Sequence, residues 1–196
     1  MLLFDQFRNW IHFNFHYLGQ PPWDKNQSPP ELLEYINTHE PGTVLDLGCG
    51  TGTNCLTLAR ADWQTTGVDF APKATLSAKR RFTKAGMQGR FLLADVSRLK
   101  GMDNTFDLIL DIGCYHVLPR PSRQEYRAVV NRVLKPGGDF LLFGHMCSFF
   151  NPNSQRLTEE CISQFQHFLQ LKHRKDDCED RRGRKGVWIW FMKPGK

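Results

Sequence analysis

Apolar residues along the chain fall into short runs of roughly five, separated by stretches in which they recur every three or four positions. The first such stretch opens at Ser28-Pro29-Pro30-Glu31. A capping hydroxyl, a proline in the first turn and a glutamate three residues after the cap predict a helix with Leu32, Tyr35 and Ile36 on its buried face. Pro41-Gly42 ends it, and Thr43 to Leu47 is a β-rich run that breaks into glycines. A helix over 53–61 and a strand over 65–69 follow, then a helix from Pro72 with Ala74, Ala78, Phe82 and Ala85 on one face, closed by Gly86. Runs over 90–93 and 106–111 read as buried strands, joined by a polar connection with room for at most a turn of helix. Ser122-Arg-Gln-Glu125 forms a second capping box ahead of Tyr126, Val129, Val130, Val133 and Leu134, and Lys135-Pro-Gly-Gly138 predicts a turn. A strand over 139–145, a helix begun by Thr158, Glu159 and Glu160 and buried through Ile162 and Phe165, and strands over 168–172 and 187–191 complete the pattern.

Strands alternating with helices at this spacing imply an α/β fold with a mainly parallel sheet, and ligands at the carboxyl ends of its strands. With 196 residues, one substantial domain is expected. No apolar stretch reaches the roughly 18 residues of a membrane span, and the first residues lack the basic and apolar regions of a secretory signal, so a soluble, cytoplasmic protein is expected. Six cysteines without a C-x-x-C pair indicate neither a metal centre nor a disulfide framework. The net charge of +6 is concentrated at Lys79, Arg80, Arg81 and Lys84 and between Lys172 and Lys185, which reads as solvated surface or as a surface for nucleic acid. Phe4, Phe7, Trp10, Phe13, Phe15, Tyr17 and Trp23 mark residues 1–27 as a separate aromatic segment ahead of a 28–196 domain. It could form a lid, or Phe4, Phe7, Trp10 and Ile11 could lie on a membrane surface.

Chemistry concentrates after the first two strands. Gly48, Gly50 and Gly52 allow a sharp turn and a close backbone approach to a ligand, while Thr53 stands where a dinucleotide fingerprint wants its third glycine. Asp69 ends the second strand about 20 residues later, placed to accept from ribose hydroxyls. With these residues in place, the strings VLDLGCGTGTN, TGVDFAP, LLADVS, FDLILDIGCYHVL and VLKPGG resemble class I S-adenosylmethionine-dependent methyltransferases. Within that class the chain is similar to the small-molecule enzymes of the tellurite and thiopurine methyltransferase type. The resemblance covers residues 20–195, most closely 43–143. It implies a Rossmann-like three-layer sandwich with a seven-stranded sheet of order 3-2-1-4-5-7-6, its seventh strand antiparallel, and S-adenosyl-L-methionine as cofactor. Position by position, it implies that Asp46 and the Gly48 to Gly52 loop hold the methionine part, Asp69 the ribose and Phe70 the adenine face. Asp95 would accept from the adenine amine, the Val96 N–H would meet a ring nitrogen, Asp111 and Ile112 would line the cleft, and Trp23 would fold over the cofactor.

His116, with Tyr115, follows the fourth strand where the resemblance puts the methyl acceptor, and imidazole suits proton removal near neutrality. No Asn-Pro-Pro-Tyr or Asp-Pro-Pro-Tyr run and no appended nucleic-acid module is present, so a small-molecule nucleophile, thiols and metalloid oxyanions among them, is expected. A nucleic-acid methyltransferase and a cofactor-binding protein without turnover stay open as alternatives.

Overall fold

The computed structural model describes residues 14–17, 19, 21, 23–146, 156–179 and 185–195. The phenylalanines and Trp10 expected in the lid before residue 14, and the basic stretch 181–184, lie outside them. The chain divides into two compact units, Met1–Leu99 and Lys100–Lys196.

In the first unit α1 (Pro30–Thr38), β1 (Thr43–Leu47), α2 (Thr53–Arg60), β2 (Gln64–Asp69), α3 (Pro72–Lys84) and β3 (Arg90–Leu93) alternate. β1 pairs in parallel with β2, and β2 with β3. Cys55, Leu56 and Ala59 of α2, Ala78 and Phe82 of α3, and Phe91 of β3 share one apolar cluster with Cys49. Phe82 and Phe91 meet edge to face, their centroids 4.8 Å apart. The second unit holds β4 (Phe106–Ile112), a 3-10 turn (Tyr115–Val117), α4 (Arg120–Val133), β5 (Leu134–His145), α5 (Glu159–Gln166), β6 (Gln170–Glu179) and β7 (Lys185–Met192). β4 and β5 are parallel, and β7 runs antiparallel to both β5 and β6. The fully buried rings of Tyr115, Tyr126, Phe140, Phe165 and Phe191 form this unit's core, each within about 6 Å of another. The sheet order is β3-β2-β1-β4-β5-β7-β6, as the resemblance implied.

Local signals fail where a tertiary partner takes the residue they rely on. Ser28 does not cap α1; its hydroxyl donates to Asn54 Oδ1 and Thr57 Oγ1 of α2, and Pro29 occupies the cap position without a side-chain hydrogen bond. The Ser122 box is likewise not a helix start, because α4 already begins at Arg120 and Ser122 is buried within it. Lys135 to Gly138 do not separate helix from strand. α4 runs directly into β5, and these residues form an irregularity in the β4 ladder with Gly137 at φ +79°. The connection between β3 and β4 contains no helix, and β6 extends to Glu179 rather than ending near 172. Thr158 does cap its helix, accepting from the Cys161 N–H.

Gly52 combines a left-handed backbone, φ +78°, with tight packing, since a Cβ there would stand 2.9 Å from the Ala78 Cβ. Gly52→Ala should therefore destabilise the fold by about 2–4 kcal/mol through strain and overpacking. Urea unfolding checks this, and a loss below about 1 kcal/mol would show that α3 yields without cost.

Candidate functional site

The first unit builds a glycine loop between β1 and α2. Gly48, Gly50 and Gly52 all have positive φ, at +78°, +54° and +78°. Only glycine adopts this succession without strain, and it lays the backbone open in front of the α2 N-terminus. The loop is closed against the end of β2. Oδ2 of Asp69 accepts from the Gly50 N–H at 2.9 Å and Oδ1 from the Ala71 N–H at 2.8 Å. Asp69 is 4% exposed, and burial raises its pKa while these amides partly restrain the rise. The Phe70 amide adds a third contact, and since a carboxylate has about four acceptor positions, capacity for one hydroxyl remains.

The other implied cofactor residues occupy the same unit in different settings. Asp46 is buried in β1, where its Oδ2 accepts from the Cys55 thiol at 3.3 Å. Cys55 also hydrogen-bonds Cys49, and burial with the nearby Asp46 charge keeps both thiols above their ordinary pKa. They are packing groups under the loop, not nucleophiles. Asp95 is half exposed, and its Oδ1 accepts from both the N–H and the hydroxyl of Ser97, forming a local turn after β3. Val96 is buried and Phe70 half-buried. Trp23 is 46% exposed, its ring edge-on to His16 and Tyr17. The glycines leave room for close approach, an acid ends β2, and a Cβ on Gly50 would come 3.0 Å from the Tyr17 hydroxyl, so the loop tolerates nothing larger there.

In the second unit Asp111, expected to line the cleft, is buried to 0% exposure. Its Oδ1 accepts from Cys114 N–H, and its Oδ2 from Tyr115 N–H and, at 2.5 Å, from the Tyr126 hydroxyl. It thus shapes the 3-10 turn that carries His116. His116 is 9% exposed, and its carbonyl accepts from the buried guanidinium of Arg123, which also bonds the carbonyls of Leu118 and Arg156. The imidazole lies against the bare backbone of Gly144, where a Cβ would come 3.1 Å from Nδ1. The ring of His145, at the end of β5, stands 5.4 Å from it. His145 and Arg123 carried no local signal in the sequence; the one meets the His116 ring and the other joins the turn to the distant Arg156 carbonyl. Among the described residues, no group of three or more His, Cys, Asp or Glu side chains could hold a metal ion, and no helix is long and apolar enough to cross a membrane.

Burial pushes the Asp111 carboxyl up to about 7, with the Tyr126 hydroxyl and the turn amides opposing the shift. A carboxyl that binds its proton more tightly when folded contributes stability that is full below its unfolded pKa of about 3.9 and is lost as pH rises through the folded value. Between pH 5 and 8 the protein should therefore lose on the order of 2 kcal/mol that Asp111→Asn does not lose. Parallel unfolding curves for the two proteins over this range would refute the assignment.

Comparison with known proteins meets this geometry. Residues 44–138, just under half of the chain, match the family described as "Methyltransferase domain". A 2-heptyl-1-hydroxyquinolin-4(1H)-one methyltransferase of Mycobacteroides abscessus is 32% identical over 137 residues, 69% of this chain. The chain spans 60% of that relative's length. The N-methyltransferase NodS of Bradyrhizobium japonicum, solved with S-adenosyl-L-homocysteine, superimposes with a TM-score of 0.81 at 18% identity over 94% of this chain and 98% of that one. A 1,6-didemethyltoxoflavin-N1-methyltransferase of Burkholderia thailandensis, also with S-adenosylhomocysteine, gives 0.77 at 21% identity over 96% and 89%. Sequence match, sheet order and glycine loop agree: residues 44–138 match a methyltransferase domain, and the chain has the fold of the class I S-adenosylmethionine-dependent methyltransferases.

Proposed function

We propose that the protein methylates a small organic acceptor through a weakly acidic O–H or N–H, with His116 taking the proton. The observation that carries this reading is the glycine loop tied to Asp69 by the Gly50 N–H, which supports reading the loop as the seat of S-adenosylmethionine. When bound, that cofactor supplies a methyl group already attached to a good leaving group. What is left to the protein is alignment, exclusion of water and, for a neutral acceptor, removal of a proton. In this reading the glycine loop and Asp46 face the amino-acid end, and Asp69 accepts from the ribose. Phe70, Asp95 and Val96 border the adenine, and Trp23 belongs to a lid formed by residues 1–27. Asp111 acts by holding the His116 turn rather than by touching the cofactor.

Two proteins similar to this chain are named for small organic acceptors, a hydroxyquinolinone and a didemethyltoxoflavin, which supports the acceptor class. Thiols and metalloid oxyanions, the narrower class implied by the tellurite and thiopurine resemblance, need little or no help from a base. A screen of phenolic and heterocyclic O–H and N–H compounds, thiols and oxyanions for S-adenosylhomocysteine release therefore separates the two. Release only with thiols or oxyanions overturns the proposed acceptor class, and binding without release for any compound overturns turnover itself.

His116→Ala should lower turnover of a neutral acceptor by about 10²–10⁴-fold and leave an acceptor that is already anionic nearly unaffected. Equal losses for both would mean that His116 positions the acceptor, and no loss for either would make it a packing residue. For the ribose contact, Asp69→Asn should weaken S-adenosylhomocysteine binding by about 10–100-fold, the effect of losing a charge-assisted hydrogen bond. Calorimetry with a melting curve as control checks it, and unchanged affinity would sink the assignment.

A further inference from the structure

Asp24 lies in the segment assigned above to a lid, yet its side chain is only 10% exposed and is committed to the glycine loop. Its Oδ2 accepts from the Thr51 hydroxyl at 2.5 Å and its Oδ1 from the Thr53 hydroxyl at 3.1 Å. These two threonines flank Gly52, the left-handed residue from which α2 starts. Arg81, on α3, closes the network: its Nη2 lies 3.7 Å from Asp24 Oδ2 and donates to Thr51 Oγ1 at 3.1 Å and to Asn26 Oδ1 at 2.7 Å. Asp24 itself is preset by its own turn, its N–H bonded to the Pro21 carbonyl and its Oδ1 accepting from the Asn26 N–H. One carboxylate therefore fixes three things together: the turn carrying Trp23, both threonines of the loop, and a cation on α3.

We infer that Asp24 is a positioning residue for cofactor binding, fastening the segment that carries Tyr17 and Trp23 to the glycine loop and holding the loop in its binding shape. The inference rests on reading that loop as the cofactor seat. The Tyr17 hydroxyl, 3.0 Å from where a Gly50 Cβ would stand, marks how closely the fastened segment covers the loop. Arg81 belongs to this fastening rather than to the solvated basic face formed by its exposed neighbours Lys79, Arg80 and Lys84.

The test uses S-adenosylhomocysteine as probe on the full chain. Asp24→Ala should weaken its binding by roughly 10–100-fold, as expected when several charge-assisted hydrogen bonds are lost, chiefly through faster dissociation. Asp24→Asn, which keeps one acceptor oxygen, should fall between wild type and Asp24→Ala. Amides of residues 14–27 should lose hydrogen-exchange protection in Asp24→Ala even with the probe bound, while those of β1 and β2 keep it. Thr53→Val removes a single hydroxyl, and its effect should not add to that of Asp24→Ala. A folded Asp24→Ala protein with wild-type affinity and wild-type protection over 14–27 would overturn the Asp24 assignment alone. Wild-type protein that does not bind the probe would overturn the cofactor reading and this inference with it.

Discussion

The hydrogen bond from the Gly50 N–H to the Asp69 carboxylate is the tie on which the first unit's candidate chemistry depends. Three glycines with positive φ give the loop freedom, and freedom alone would leave it without a defined shape. Asp69 supplies the constraint from the neighbouring strand, where the β1–β2 ladder fixes its distance from the loop. The same carboxylate accepts from Ala71, just before α3, so one side chain sets the starts of two loops. Its burial makes the arrangement costly without those amides, because an unpaired carboxylate there would be poorly solvated.

Asp111 repeats the device with a different electrostatic outcome. It too ends a strand and accepts from the amides of the residues that follow. Its neighbours, however, are the rings of Tyr115 and Tyr126, not a loop open to a polar ligand, and burial carries its carboxyl to about 7. A group near half protonation at neutral pH is a weak acceptor for a ligand hydroxyl and a good internal brace. The geometry of the His116 turn therefore belongs to the core of the second unit. The buried Arg123 reinforces it by binding the carbonyl of His116 within the turn and that of Leu118 just after it.

Most of the fold was legible because parallel strands buried on both faces appear in sequence as apolar runs, and β1 and β4 fall at or within one residue of the expected bounds, while β3, also found where expected, is a half-exposed edge strand. Helix starts were less legible. The boxes at Ser28 and Ser122 have the right local residues, but Ser28 is used by α2 and Ser122 is interior to its own helix. Of the site, the glycines and Asp69 could be found because loop chemistry and spacing announce them. Asp24, Arg81, Arg123 and His145 could not: Asp24 and Arg81 meet Thr51 of the glycine loop from 27 or more positions away, Arg123 joins the turn before it to the distant Arg156 carbonyl, and His145 meets a ring packed across the fold. Asp111 was legible as an important strand-end acid but not as a buried one, because sequence position does not reveal which way a carboxylate is solvated.

That difference bears on how such folds acquire function. A strand-end acid followed by a tight turn is required first by the backbone, whose N–H groups need acceptors once strand pairing stops. Asp69 and Asp111 both meet that need, so their presence in sequence does not by itself distinguish a ligand contact from a brace. What distinguishes them is the surrounding medium. Beside a glycine loop, amides oppose the rise that burial imposes on the carboxyl. Among aromatic rings it approaches neutrality and is spent on the fold. Reading a cofactor site in this fold therefore depends less on the acids themselves than on which residues deny or permit them their charge.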